Sequence, residues 1–77
     1  MNEELLIAFG KHVRSLRQQL EISQEELAAN CGLDRTYISG IERGKRNVSL
    51  INIFRLAEAL GATPSALLDF SVETTNE

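Results

Sequence analysis

The chain has 77 residues, of which 43% are hydrophobic and 25% charged, with a formal net charge of −3. This length predicts a single domain with one modest core, and the composition is typical of a soluble globular protein. The acidic balance argues against nucleic-acid binding by bulk charge, and the single cysteine, Cys31, excludes an internal disulfide or a multi-cysteine metal site.

The first predicted helix carries apolar residues at alternating three- and four-residue steps, which places them on one face. Gly10 lies within this run without breaking its period. The apolar residues are Leu6, Phe9, Val13, Leu16 and Leu20.

Capping residues predict the second and third helices. SQEE, at residues 23–26, is a capping box that starts the second helix, and Gly32 ends it. Asp34 caps the third helix, and Gly44 stops it. Two short capped helices joined by a tight turn predict a helix-turn-helix over about residues 23–43. The inward residues of the third helix are Ile38 and Ile41.

Two more helices complete the predicted domain. Ser49 caps the fourth, and Pro64 suits the first turn of the fifth. The tail at about residues 71–77 is polar, and we expect it to fray. With no hairpin signal and no repeat, the sequence predicts one all-α domain over residues 1–77. The predicted inner residues of the fourth helix are Leu50, Ile53, Leu56, Ala57 and Leu60. The fifth helix holds Leu67, Leu68 and Phe70, some of which complete the core.

The outer face of the third helix carries residues suited to base edges. Arg35 lies at its N-terminus, where an arginine can donate two hydrogen bonds to guanine O6 and N7 in the major groove. Thr36 and Ser39 are short polar residues that can approach base edges or a thymine methyl group. These three residues are therefore candidates for base contact.

Cations follow the third helix, whereas the last third of the chain is acidic. Residues 35–47 contain four cations and one acid, Glu42, while residues 57–77 contain four acids and neither Lys nor Arg. The second helix begins at Gln24, where backbone and side-chain amides can face a phosphate. The candidates for phosphate contact after the third helix are Arg43, Lys45, Arg46 and Asn47.

The stretch SQEELAANCGLDRTYISGIERGKRNVSL resembles the lambda-repressor-like helix-turn-helix family, also called the Xre or Cro/C1 type. Within it, DRTYISGIERGKRN followed by VSLINI resembles the controller proteins of bacterial restriction-modification systems. The similarity covers about residues 8–70. It implies a five-helix fold that binds as a dimer to operators upstream of its own operon and activates or represses transcription.

The resemblance also implies roles for individual residues. It makes Arg35 and Thr36 base readers with Arg46 as a further candidate, and it pairs Arg17 with Glu42. Tyr37 stays open between a core aromatic and a contact with phosphate. The residues implied to hold phosphate or to sense DNA shape are Gln24, Tyr37, Ser39, Arg43 and Asn47.

A homodimer is expected because one recognition helix covers too few base pairs for specificity, and a dimer would read a roughly palindromic operator. The alternative is that every apolar residue of the last two helices belongs to the core. The candidate interface residues are Ile51, Phe54, Leu67 and Leu68.

The sequence is also compatible with other functions and partners. A phage-type repressor or an autoregulating antitoxin of the same fold is the alternative to a controller. Activation would need contact with RNA polymerase, for which Glu25 is a candidate.

His12 stands at no metal-ligand spacing, and no catalytic constellation is visible, so we expect neither cofactor, metal nor enzymatic activity. The start resembles no signal peptide and no run could cross a bilayer, so we expect a cytoplasmic protein without membrane contact.

Overall fold

The computed structural model describes residues 2–72, which form five α-helices and, within that range, no strand. The prediction of an all-α fold is thereby confirmed. Residues 73–77, most of the predicted tail, lie outside the described residues. The helices are α1 (Asn2–Gln19), α2 (Gln24–Cys31), α3 (Arg35–Glu42), α4 (Leu50–Ala59) and α5 (Pro64–Leu67).

Helix starts follow the capping chemistry that the sequence predicts. The Ser23 hydroxyl accepts from the Glu26 amide at 3.0 Å, and the Ser23 amide donates to Glu26 Oε1 at 2.8 Å. Asp34 and Ser49 cap α3 and α4 with their side-chain oxygens, and Pro64 opens α5. Because each cap satisfies amides that the first helical turn leaves unpaired, these starts are set locally.

Glycines in the left-handed region stop the two helices of the helix-turn-helix. At the end of α2, Gly32 has φ 69°, and the Leu33 amide donates to the Ala28 carbonyl at 3.0 Å. At the end of α3, Gly44 has φ 76° and closes the helix in the same way. A side chain at either position would be strained, so Gly32 limits α2 and Gly44 limits α3 to eight residues each.

The core takes apolar residues from all five helices. The Cys31 thiol lies in it and donates to the Leu27 carbonyl at 3.0 Å. Burial raises the pKa of this thiol, which makes Cys31 an unreactive packing residue. The buried apolar residues are Phe9, Val13, Leu27, Ala28, Cys31, Ile38, Ile41, Ile53, Leu56, Ala57, Leu60 and Leu67.

Three apolar placements predicted from the sequence are wrong. Leu50 is 71% exposed, because it lies at the edge of the buried stripe in the first turn of α4. Leu20 is 47% exposed, because α1 ends one residue before it. Leu67, the last residue of α5, was predicted at the dimer interface. Its side chain is fully buried in the core, so it offers no surface to a partner.

The C-terminal part of the described chain packs against α1. His12 Nε2 donates to the Ala66 carbonyl at 2.9 Å. The Phe70 ring lies 5.6 Å from the His12 ring and 5.8 Å from the Phe9 ring, measured between centroids. His12 is therefore a packing residue that holds α5 to α1. No helix in the described part of the chain is long and apolar enough to span a membrane.

Helix α1 crosses the C-terminal end of α3 at Gly10. A Cβ atom at this position would lie 2.3 Å from the Ile41 carbonyl oxygen and 2.8 Å from the Glu42 carbonyl oxygen. Both distances are far inside van der Waals contact, and both neighbours are backbone atoms that side-chain rotation cannot move. The backbones of the two helices touch because residue 10 has no side chain.

We predict that Gly10→Ala destabilises the fold by about 1–3 kcal/mol, the usual cost of overpacking. This loss would appear although alanine favours an isolated helix by about 1 kcal/mol over glycine. Urea unfolding would measure it, with the exposed neighbour substitution Lys11→Ala as the control, expected within about 0.5 kcal/mol of wild type. A Gly10→Ala protein as stable as wild type would contradict the close crossing.

Candidate DNA-binding surface

A buried ion pair fixes the back of α3. Arg17 Nε lies 2.6 Å from Glu42 Oε2, and Arg17 Nη2 donates to Glu42 Oε1 at 3.0 Å, so the contact is bidentate. The two side chains are 12% and 3% exposed, respectively. The hydrogen bond to Glu42 raises the pKa of Arg17, which keeps the guanidinium charged. The predicted pairing of these residues is present in the structure.

Two further hydrogen bonds extend this pair into the α1–α2 loop and into α2. Arg17 Nη1 donates to the Ile22 carbonyl at 2.9 Å, and Gln24 Nε2 donates to Glu42 Oε1 at 3.0 Å. Gln24 was expected to face a phosphate, but its side-chain amide points inward to the carboxylate here. Its contact with phosphate stays a prediction, and its structural role is one that the sequence did not indicate.

The outward face of α3 presents the predicted base readers. Arg35 and Thr36 are exposed, and Ser39 is half-buried. Arg35 Nε lies 4.0 Å from Glu25 Oε2, with side-chain exposures of 54% and 79%. Such a solvated contact stabilises by less than about 1 kcal/mol, so it leaves the Arg35 guanidinium available to another partner.

The loop after α3 adds the remaining cations. Arg43, Lys45 and Asn47 are exposed, as their predicted phosphate contacts require. Arg46 is exposed as well, but its guanidinium carbon lies 5.6 Å from the centroid of the Tyr37 ring. This distance is within the range of a cation–π interaction.

Tyr37 is half-buried and contacts both the core and α4. The half-buried ring packs against the hydrophobic cluster, and its hydroxyl accepts from Asn52 Nδ2 at 3.4 Å. Because that hydroxyl oxygen already accepts a hydrogen bond, its own hydrogen can be donated outward. Asn52 is a further residue that sequence reasoning missed, since nothing in its local pattern connects it to a residue of α3.

The surface formed by α3 and the following loop is positive despite the acidic chain. Its four cations, Arg35, Arg43, Lys45 and Arg46, are exposed, while the one acid in the same stretch, Glu42, is neutralised by its buried partner. An array of exposed donors and cations on and beside one helix can bind a phosphate backbone and base edges. Within residues 2–72, no three His, Cys, Asp or Glu side chains are grouped as a metal site requires.

We predict that Glu42→Ala destabilises the protein by about 3–5 kcal/mol, because it leaves the Arg17 guanidinium buried without its partner. Urea unfolding of the single variant would show this loss. The paired change Arg17→Met with Glu42→Leu removes both charges, so it should recover most of the lost stability. If Glu42→Ala lost less than about 1 kcal/mol of stability, the loss would be typical of a surface ion pair. That result would contradict the assignment of Arg17 and Glu42 as a buried pair.

Comparison with known proteins places this geometry in a family. A helix-turn-helix family model matches residues 13–67. Control protein C.BamHI from Bacillus amyloliquefaciens is 51% identical over 72 residues, which cover 92% of this chain and 89% of that protein.

Solved structures agree with the sequence match. The restriction-modification controller protein C.AhdI from Aeromonas hydrophila superposes with a TM-score of 0.79 at 53% identity, covering 80% of this chain and 94% of that one. The controller protein C.Esp1396I, solved as a tetramer with its natural 35 base-pair operator, gives a TM-score of 0.78 at 32% identity, covering 84% and 86%. The chain therefore belongs to the lambda-repressor-like helix-turn-helix family, in the group that holds the restriction-modification controller proteins.

Proposed function

We propose that this protein is a sequence-specific DNA-binding regulator of transcription, a controller that acts at operators upstream of its own operon. The observation that carries the proposal is the positive surface of α3 and its loop on a chain with a net charge of −3. A controller is favoured over a phage-type repressor or an antitoxin because two of the most similar relatives, C.BamHI and C.MunI, are named control proteins. The proposed ligand is double-stranded operator DNA, which implies a cytoplasmic protein that acts by binding, without catalysis.

The proposed division of labour follows the geometry of α3. Its N-terminal end enters the major groove, where Arg35 donates to a guanine and Thr36 contacts a neighbouring base. Arg43 and Lys45, at the other end of the helix, lie where the flanking phosphates pass. The phosphate contacts supply sequence-independent affinity, and the base contacts supply the preference for an operator.

An exposed apolar patch on α4 supports a homodimer. Leu50, Ile51 and Phe54, which we call the α4 patch, are 71%, 68% and 55% exposed. They lie three and four residues apart or adjacent, so they share one side of the first turns of α4. Leu68, in the cap after α5, is 52% exposed and is a further candidate.

A second copy of the chain is the proposed occupant of the α4 patch. A two-fold interface would pair the patch with itself and present two α3 helices one DNA turn, about 34 Å, apart. The operator would then be roughly palindromic. The tetramer of C.Esp1396I on its operator supports binding by several copies. Exposed acids at the start of α2, such as Glu25, are candidates for contact with RNA polymerase during activation.

We predict that Arg35→Ala weakens binding to a selected operator by about 1–3 kcal/mol and relaxes base preference at one position. The matched variant Arg43→Ala should weaken binding to operator and random DNA alike and reduce the salt slope by about one. Titrations of both variants at several salt concentrations would test this. Equal losses of the Arg35 variant on both DNAs would contradict its role as a base reader.

We predict that Phe54→Glu yields a folded monomer, because Phe54 is half-exposed in one copy and only a partner would bury it fully. Sedimentation equilibrium would show the change in mass, and operator affinity should fall with it. Leu20→Glu places the same charge on an exposed leucine outside the α4 patch and should leave the dimer intact. A Phe54→Glu protein that remains dimeric would remove the α4 patch from the interface.

A further inference from the structure

Gly40 occupies the interior of α3, where alanine would favour the helix by about 1 kcal/mol. Its backbone is helical, so no left-handed conformation requires a glycine there. A Cβ atom at Gly40 would meet the side chain of Arg46, with Cγ at 3.1 Å, Nε at 3.2 Å and Cδ at 3.7 Å. The three nearest atoms all belong to that one side chain. The space left by the missing Cβ is therefore filled by the Arg46 side chain. At Gly10, by contrast, the backbone of α3 fills the corresponding space.

The ring of Tyr37 forms the other side of this space. Tyr37 and Gly40 are three residues apart on α3, so they are neighbours on one face of the helix. Arg46 folds back from the loop across Gly40, and its guanidinium lies over the Tyr37 ring. The ring in turn is held by the core and by the Asn52 amide.

We propose that Gly40 and the ring of Tyr37 form a seat that positions Arg46 for DNA recognition, so that Gly40 determines specificity without touching DNA. The inference rests on the proposed function. An arginine on a loop has many rotamers, and each one excluded before binding reduces the conformational entropy lost on binding. A seated Arg46 also presents its donors to one position, which is what discrimination between bases requires.

The variant that tests the seat is Gly40→Ala, measured on a selected operator and on single-base variants of it. Alanine displaces the Arg46 side chain but favours the helix, so the melting temperature should not fall. Operator affinity should fall by at least about fivefold, with relaxed preference at one base pair per half-site and unchanged binding to random DNA. Ser15→Ala, an exposed change on α1, should alter none of these quantities.

A double-variant comparison separates the seat from a general effect on α3. Arg46→Ala alone should give at least this loss on the operator and, because it removes a cation, should also weaken binding to random DNA. Gly40→Ala added to it should have no further effect. Tyr37→Phe retains the ring and should retain the base preference attributed to Arg46, whereas Tyr37→Leu should relax it. These two variants test the seat independently of residue 40.

Fluorescence of the DNA-free protein gives a readout that a purely structural role would not move. Tyr37 is the single tyrosine and the chain has no tryptophan, so tyrosine emission reports on this ring alone. Gly40→Ala and Arg46→Ala should both change the emission, and the double variant should match Arg46→Ala. Wild-type emission and wild-type base preference in Gly40→Ala would overturn the seat. A wild-type protein that does not distinguish operator from random DNA would instead defeat the proposed function, and the emission would still decide whether the seat exists.

Discussion

The bidentate contact between Arg17 and Glu42 joins three helices at one point. Glu42 is the last residue of α3, and its carboxylate accepts from two nitrogens of Arg17 on α1 and from Gln24 at the start of α2. With both side chains almost fully buried, desolvation offsets much of the attraction, so the pair contributes more to the orientation of α3 than to net stability. It also neutralises the only acid within residues 35–47, which contain four cations.

Two exposed surfaces of the described chain, residues 2–72, differ in chemistry. The face of α3 and its loop carries cations and short donors, whereas the α4 patch carries Leu50, Ile51 and Phe54. We propose the first as the DNA-binding surface and the second as the dimer interface. Helix α4 follows the cationic loop directly, and its Asn52 donates a hydrogen bond to Tyr37 of α3. The two surfaces are therefore connected through α4. A dimer contact on α4 would therefore also define how α3 meets its operator.

The local parts of the structure could be predicted from the sequence, and the distant parts could not. Caps at Ser23 and Asp34 depend on atoms within three residues, so residue type and spacing were sufficient. Helical period predicted which side of α4 is apolar, but it could not show that no other helix covers Leu50. The glycines inside helices could not be interpreted from the sequence. Gly10 and Gly40 are explained only by contacts with residues of another helix or of a loop. At the candidate site, the exposed cations followed from burial of their neighbours, and the ion pair followed from family resemblance, whereas the inward turn of Gln24 depended on the fold.

The most direct test of sequence-specific recognition is a binding titration of the wild-type protein on the DNA immediately upstream of its own gene. A shuffled fragment of equal composition would serve as the comparison, at two salt concentrations and with stoichiometry recorded. A dimeric regulator of its own operon should bind tightly to the native fragment alone, in steps of two chains per site. Weak and equal binding to both fragments would contradict sequence-specific recognition of that operator.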